Sequence, residues 1–160
     1  TIAAGSTLPK ATLLKMEETG PAAVSLADKL KGRKVVIFGL PGAYTGTCST
    51  AHVPSFIRTA MKFADKGVDE IICISVNDPF TLNAWDNATG ATKAGITLLG
   101  DADGSFTKAV GMDFSAPQIG LLGRSNRYAL VVDNGVVTVA NIDKPGECNI
   151  SAGEALLEEL

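Results

Sequence analysis

Residues 34–63, KVVIFGLPGAYTGTCSTAHVPSFIRTAMKF, decide how the rest of the chain is read. The opening KVVIFG is a compact β-branched and aromatic run, the pattern of a strand buried on both faces. A loop of small residues follows, and Cys48 stands where a helix should begin. Residues 48–66 carry a helical pattern, with Val53, Phe56, Ile57, Ala60 and Phe63 on one side. Pro54 lies inside that segment and is expected to kink it, because it removes a backbone donor.

Outward from this unit the punctuation continues. Residues 10–16 and 21–25 suit a hairpin around Glu17–Gly20, and Ser25 with Asp28 resembles the start of a short helix ending near Gly32. Residues 70–76 (EIICISV) are a second buried strand, closed by Asn77-Asp78-Pro79. A helix through Phe80, Leu82 and Trp85 follows, then a strand at 96–99 and a helix near 104–110. Asn134-Gly135 between 127–133 and 136–142 signals a two-residue hairpin turn, since both residues tolerate positive φ. Ser151 with Glu154 is expected to open a last helix as a capping box. The order predicts one α/β domain over 1–160, a mixed sheet with helices on both faces, and fits a thioredoxin-like architecture.

Composition narrows the function classes. The chain has 160 residues, 46% hydrophobic and 19% charged, which suits a soluble protein with an ample core. Its 17 acidic against 14 basic side chains give a net charge of −3 and no basic cluster, against a nucleic-acid partner. No apolar run reaches the roughly 18–20 residues a membrane span needs. Cys48, Cys73 and Cys148 are odd in number and irregularly spaced, neither a disulfide framework nor a zinc site. A reducing compartment, the cytoplasm, is the simpler expectation; the chain begins at Thr1, so an organelle after removal of a leader stays open.

A thiol in the first turn of a helix faces unpaired N–H groups and the positive end of the dipole, which favour the thiolate. From an ordinary pKa of about 8.5, full ionisation at pH 7 gains only about 30-fold. A fast reaction therefore also needs donors aimed at an oxygen that gains charge. The Thr45 hydroxyl is placed to supply one, and Pro41 shapes and dries the loop without offering an N–H. Against this stands the view of Cys48 as a small buried hydrophobe in an ordinary connection, and on local chemistry the two are level.

The pattern Pro41-x-x-x-Thr45-x-x-Cys48 and its extension PGAYTGTCSTAHVPSF resemble the active-site motif of peroxiredoxins, specifically the type II and Prx5-like branch. The similarity continues through KGVDEIICISVNDPF, the Trp85 region, RSNRYALVVDNG and VANID. It implies a thioredoxin-fold peroxidase for hydrogen peroxide and organic hydroperoxides, without metal or organic cofactor. It also implies Cys48 as peroxidatic cysteine, Thr45 holding the peroxide, Pro41 shielding the sulfur and Arg127 stabilising thiolate and transition state. Cys73 and Cys148 are the resolving candidates, failing which glutaredoxin, thioredoxin or glutathione serves; a homodimer is the expected assembly, with Phe80 and Trp85 either core or near its contact. Gly46 stands where the family commonly has proline, which is expected to loosen the active turn, and Tyr44 replaces the more usual Phe.

Two rivals follow from the same residues. Gly46 keeps open a redox-sensing or binding module that reacts slowly. His52, four residues after Cys48 and the only histidine, would serve as general base in a cysteine hydrolase, though no third triad member is apparent; a local hydrogen-bonding or packing role is the other reading.

Overall fold

The computed structural model describes residues 1–160, apart from the side chains of Cys48 and Ser49. The early hairpin forms as β1 (Thr12–Glu17) and β2 (Gly20–Ser25), and Ser25 Oγ accepts from Asp28 N at 3.4 Å to open α1 (Leu26–Leu30). The unit that opened the sequence becomes β3 (Lys34–Leu40), a π-helical turn over Cys48–His52 and α2 (Val53–Asp65). Then come β4 (Glu70–Ser75), α3 (Pro79–Thr89), β5 (Ile96–Gly100) and α4 (Ser105–Ala109). A two-stranded ribbon, β6 (Asp113–Ala116) and β7 (Leu121–Ser125), precedes β8 (Tyr128–Asp133), β9 (Val136–Ile142) and α5 (Gly153–Leu157).

The main sheet has seven strands in the order β2-β1-β5-β4-β3-β8-β9. Strands β5, β4 and β3 run parallel, and β8 joins β3 antiparallel, which is the thioredoxin-like centre. Alternation along β3 sorts the core into two layers. Val36, Phe38 and Leu40 face Phe56 and Phe63 of α2, Trp85 of α3 and Leu156 of α5. Val35 and Ile37 face Leu26 of α1, Phe106 of α4 and Tyr128. Both faces of the central strands are therefore buried, as their unbroken apolar runs require. Gly39 sits opposite Tyr128 in the β3–β8 register, and a Cβ there would run into the tyrosine ring.

The structure corrects several expectations. Pro54 interrupts the helix differently from a simple kink: the helical path runs on from before it, and a wider π turn over Cys48–His52 directly precedes Pro54, at the point where its missing N–H breaks the regular ladder. The cap of α5 is Ala152 without a side-chain bond, because the Ser151 hydroxyl donates to Asp143 instead. Trp85 is core at 1% exposure, as its helical spacing predicts, whereas Phe80, expected in the core by the same spacing, is 66% exposed.

Candidate active site

Strands β3 and β4 run parallel, and both end on the side where the Pro41 loop leaves the sheet, the place where open α/β sheets hold ligands. Neighbouring segments hold the loop from two sides. Ala43 N donates to Asn77 Oδ1 at 2.9 Å, and the same oxygen takes the Ser75 hydroxyl proton. From β7, Arg124 Nη1 donates to the Pro41 carbonyl at 3.1 Å, so this arginine is a supporting charge rather than a merely exposed one. Within the loop, Thr45 N and Oγ1 both donate to the Gly42 carbonyl, at 3.3 and 2.7 Å. Gly42 has φ of 152°, and a Cβ there would meet the Arg124 guanidinium. Tyr44 takes φ of 65°, a mildly unfavourable left-handed conformation that closes the turn.

The second half of the site reaches across the fold. Arg127 is only 8% exposed although it sits at the start of a strand. Its Nη1 lies 3.0 Å from His52 Nδ1, and His52 Nε2 lies 3.0 Å from the Ser151 carbonyl. A guanidinium has only donors, so Nδ1 must accept and the imidazole proton must sit on Nε2, donating to Ser151. Burial first, and Arg127 second, lower the His52 pKa to about 3, outweighing the raising influence of Ser151 and Asp143. A neutral imidazole thus holds the arginine without cancelling its charge. Ser151 is anchored in turn by Asp143, whose carboxylate accepts from the amides of Asn149 (2.8 Å), Ile150 (3.2 Å) and Ser151 (3.0 Å). Burial pushes the Asp143 pKa up, but the bonds from Ser151, Asn149 and Ile150 together hold it below the usual value.

Pro41, Thr45 and Arg127 line one cavity of about 330 Å³. Gly46 and Thr47 share its wall with Phe114, Ala116, Ile119 and Leu121 of the ribbon segment and Lys144 of the loop after β9. The π turn that this loop feeds opens at Cys48, whose side chain lies outside the described residues. Cys73 is 1% exposed in the middle of β4, paired with Phe38 and Leu98, while Cys148 is half-buried in the loop before α5. Sequence reasoning missed Asp143, Asn77 and Lys144; the isolated acid before "KPGEC" was the one available hint of a loop anchor. Among the described residues, no group of three or more His, Cys, Asp and Glu side chains is placed to hold a metal ion, and no helix is long and apolar enough to cross a membrane.

Comparison with known proteins shows the family. Residues 3–157 match the family described as Redoxin. Peroxiredoxin-2C of Oryza sativa subsp. japonica is 44% identical over 160 residues, covering 99% of this chain and 98% of the relative. Peroxiredoxin-2F, mitochondrial, of Arabidopsis thaliana is 45% identical over 136 residues, 84% of this chain and 67% of that one. Among solved structures, reduced Prx3 in complex with hydrogen peroxide from Vibrio vulnificus superposes with a TM-score of 0.93 at 43% identity, covering 99% of each chain.

Proposed function

Because the chain belongs to the peroxiredoxin family of thiol-dependent peroxidases, in its type II branch, we propose that it reduces hydrogen peroxide and organic hydroperoxides at Cys48. The thiolate attacks one peroxide oxygen, an S–O bond forms as the O–O bond breaks, and the departing oxygen leaves with a proton as water or alcohol. Cys48 becomes a sulfenic acid, and a second thiol displaces its oxygen as water to give a disulfide. The residues act within one domain spanning 1–160.

The observation that carries this reading is that Pro41, Thr45 and Arg127 converge on one cavity beside the turn that opens at Cys48. Arg127 supplies fixed positive charge to the thiolate and to the developing oxyanion. The sequence predicts Thr45 as a donor. While its proton is directed to Gly42, the hydroxyl meets the substrate through its lone pairs and accepts the peroxide O–H. Pro41 gives its carbonyl to Arg124 and lines the cavity without an N–H to offer. His52 does not suit a hydrolase base, since Nδ1 is engaged by Arg127 and its affinity for a proton is low.

Recycling is assigned to glutaredoxin, thioredoxin or glutathione. Of the internal candidates, Cys73 would have to leave the core between two strands, whereas half-buried Cys148 would not. The cytoplasm, where such thiols are supplied, is the proposed location, and an organelle is the alternative, as the mitochondrial name of one relative illustrates. The protein is proposed to act as a homodimer.

Stopped-flow oxidation of the reduced protein by hydrogen peroxide is the test. A rate more than about 30-fold above that of a free cysteine exceeds what ionisation alone supplies. Cys48→Ser should abolish it and Thr45→Val should slow it roughly 10- to 100-fold. A wild-type rate no faster than a free thiol would instead favour the slow redox-sensing module that Gly46 keeps open.

A further inference from the structure

Hydrogen peroxide does not account for the cavity. A water needs roughly 10–15 Å³ of such space, so a peroxide about two waters in size uses less than about a tenth of it. The volume, about 330 Å³, falls in the range of roughly 300–1,000 Å³ typical of small-molecule clefts. Its lining is divided. Thr45, Asn126 and Arg127 are polar, while Phe114, Ile119 and Leu121 present an apolar wall. Ile119 is 69% exposed, an apolar surface left in contact with water.

The charge is one-sided. Arg127 and Lys144 both line the cavity, and among the described residues no Asp or Glu does. Asp143, next to Lys144, keeps its charge but is turned to the amides of Asn149, Ile150 and Ser151 and does not line the cavity. Among the described residues Lys144 forms no ion pair. Arg127 is committed to His52 and to the reacting oxygens, whereas Lys144 is exposed and available to a second anionic group.

We propose that the cavity selects hydroperoxides carrying an apolar chain and a remote carboxylate, with the chain against Phe114, Ile119 and Leu121 and the carboxylate at Lys144. This rests on the peroxidase reading above. The chemistry at sulfur is unchanged: the hydroperoxide of a fatty acid leaves as the corresponding hydroxy acid and Cys48 as the sulfenic acid. Lys144 contributes attraction and orientation rather than chemistry. An exposed pair of this kind adds roughly two- to fivefold, and screening weakens it as the Debye length falls from about 30 Å at 0.01 M salt to about 3 Å at 1 M.

The test compares linoleic acid hydroperoxide with its methyl ester, both below their micellar concentrations, and with hydrogen peroxide, by the second-order rate of oxidation of the reduced protein. The acid should react two- to fivefold faster than the ester at low salt, and the ratio should approach one at high salt and in Lys144→Gln. Lys93→Gln, the same charge change on the short helical turn over Thr92–Ala94, should keep the preference. Equal rates for acid and ester in a protein that still reacts rapidly with hydrogen peroxide would overturn this inference and leave the peroxidase reading standing. A preference that survives in Lys144→Gln, or disappears equally in Lys93→Gln, would overturn the role of Lys144. Sluggish reaction with all three would overturn the peroxidase reading and this inference with it.

Discussion

At the scale of single residues, the two glycines of the Pro41 loop do opposite things. Gly42 adopts φ of 152° and has the Arg124 guanidinium where a Cβ would go, so the fold requires it. Gly46 takes no positive φ, and a Cβ there would meet nothing within 4 Å. The folded state is therefore indifferent to a methyl group at Gly46, while the unfolded chain would lose freedom. Gly46→Ala is expected to stabilise by about 0.4–1 kcal/mol, read as a higher urea midpoint at unchanged m-value. Gly42→Ala should lower the midpoint through strain and displacement of Arg124. A destabilised Gly46→Ala would show that the turn uses the glycine for something other than tolerance.

At the scale of elements, His52 joins the start of α2 to the β8 entry and to the loop before α5, and it makes stability depend on pH. Its folded pKa, about 3, lies below the unfolded value of 6.5. The unfolded chain therefore binds the extra proton first, and stability falls as pH drops from about 6.5 towards 3, by up to about 1.4 kcal/mol per pH unit. Asp143 acts in the same direction at lower pH: its folded pKa is depressed below 3.8, so its contribution is present above that value and is lost as pH falls through the folded pKa. In His52→Gln, an amide can accept from Arg127 and donate to Ser151 without titrating. Chemical denaturation between pH 4 and 6 should show the slope in wild type and most of it gone in the variant. An equal slope in both would place the acid sensitivity elsewhere.

These same contacts mark where the sequence stops being legible. Strands β3 and β4 could be read because burial on both faces leaves an unbroken apolar run, and the β8–β9 hairpin because Asn134 and Gly135 must take positive φ, as they do at 48° and 82°. The ribbon β6–β7 is short and half-exposed, with no apolar period to betray it. The motif named Pro41, Thr45 and Cys48 through local spacing. What fixes Arg127 is a histidine 75 positions away, a contact that exists only once β3 and β8 have paired. Ser151 looked like a helix cap because the pattern is local, whereas its real partner, Asp143, lies eight residues earlier and holds four bonds to this loop.

At the scale of the whole molecule, three of the large exposed apolar side chains sit on segments that are bonded to one another. Tyr44 is 57% exposed, Phe80 66% and Leu122 66%. They arise from three segments stitched to one another: the Pro41 loop bonds to Asn77 just before α3, and Arg124 of β7 bonds to Pro41. Three large apolar groups on linked segments form the kind of surface that a second copy would cover, and a two-fold contact buries each of them twice. Trp85 lies within the core and takes no part. Sedimentation is expected to give a dimer at micromolar concentration. Phe80→Asp introduces a charge that must be desolvated in such a contact, and because the side chain is exposed the fold should survive, so the variant should sediment as a folded monomer with unchanged far-ultraviolet circular dichroism. A wild-type protein that stays monomeric across that range, or a Phe80→Asp dimer as tight as wild type, would remove this face from the assembly.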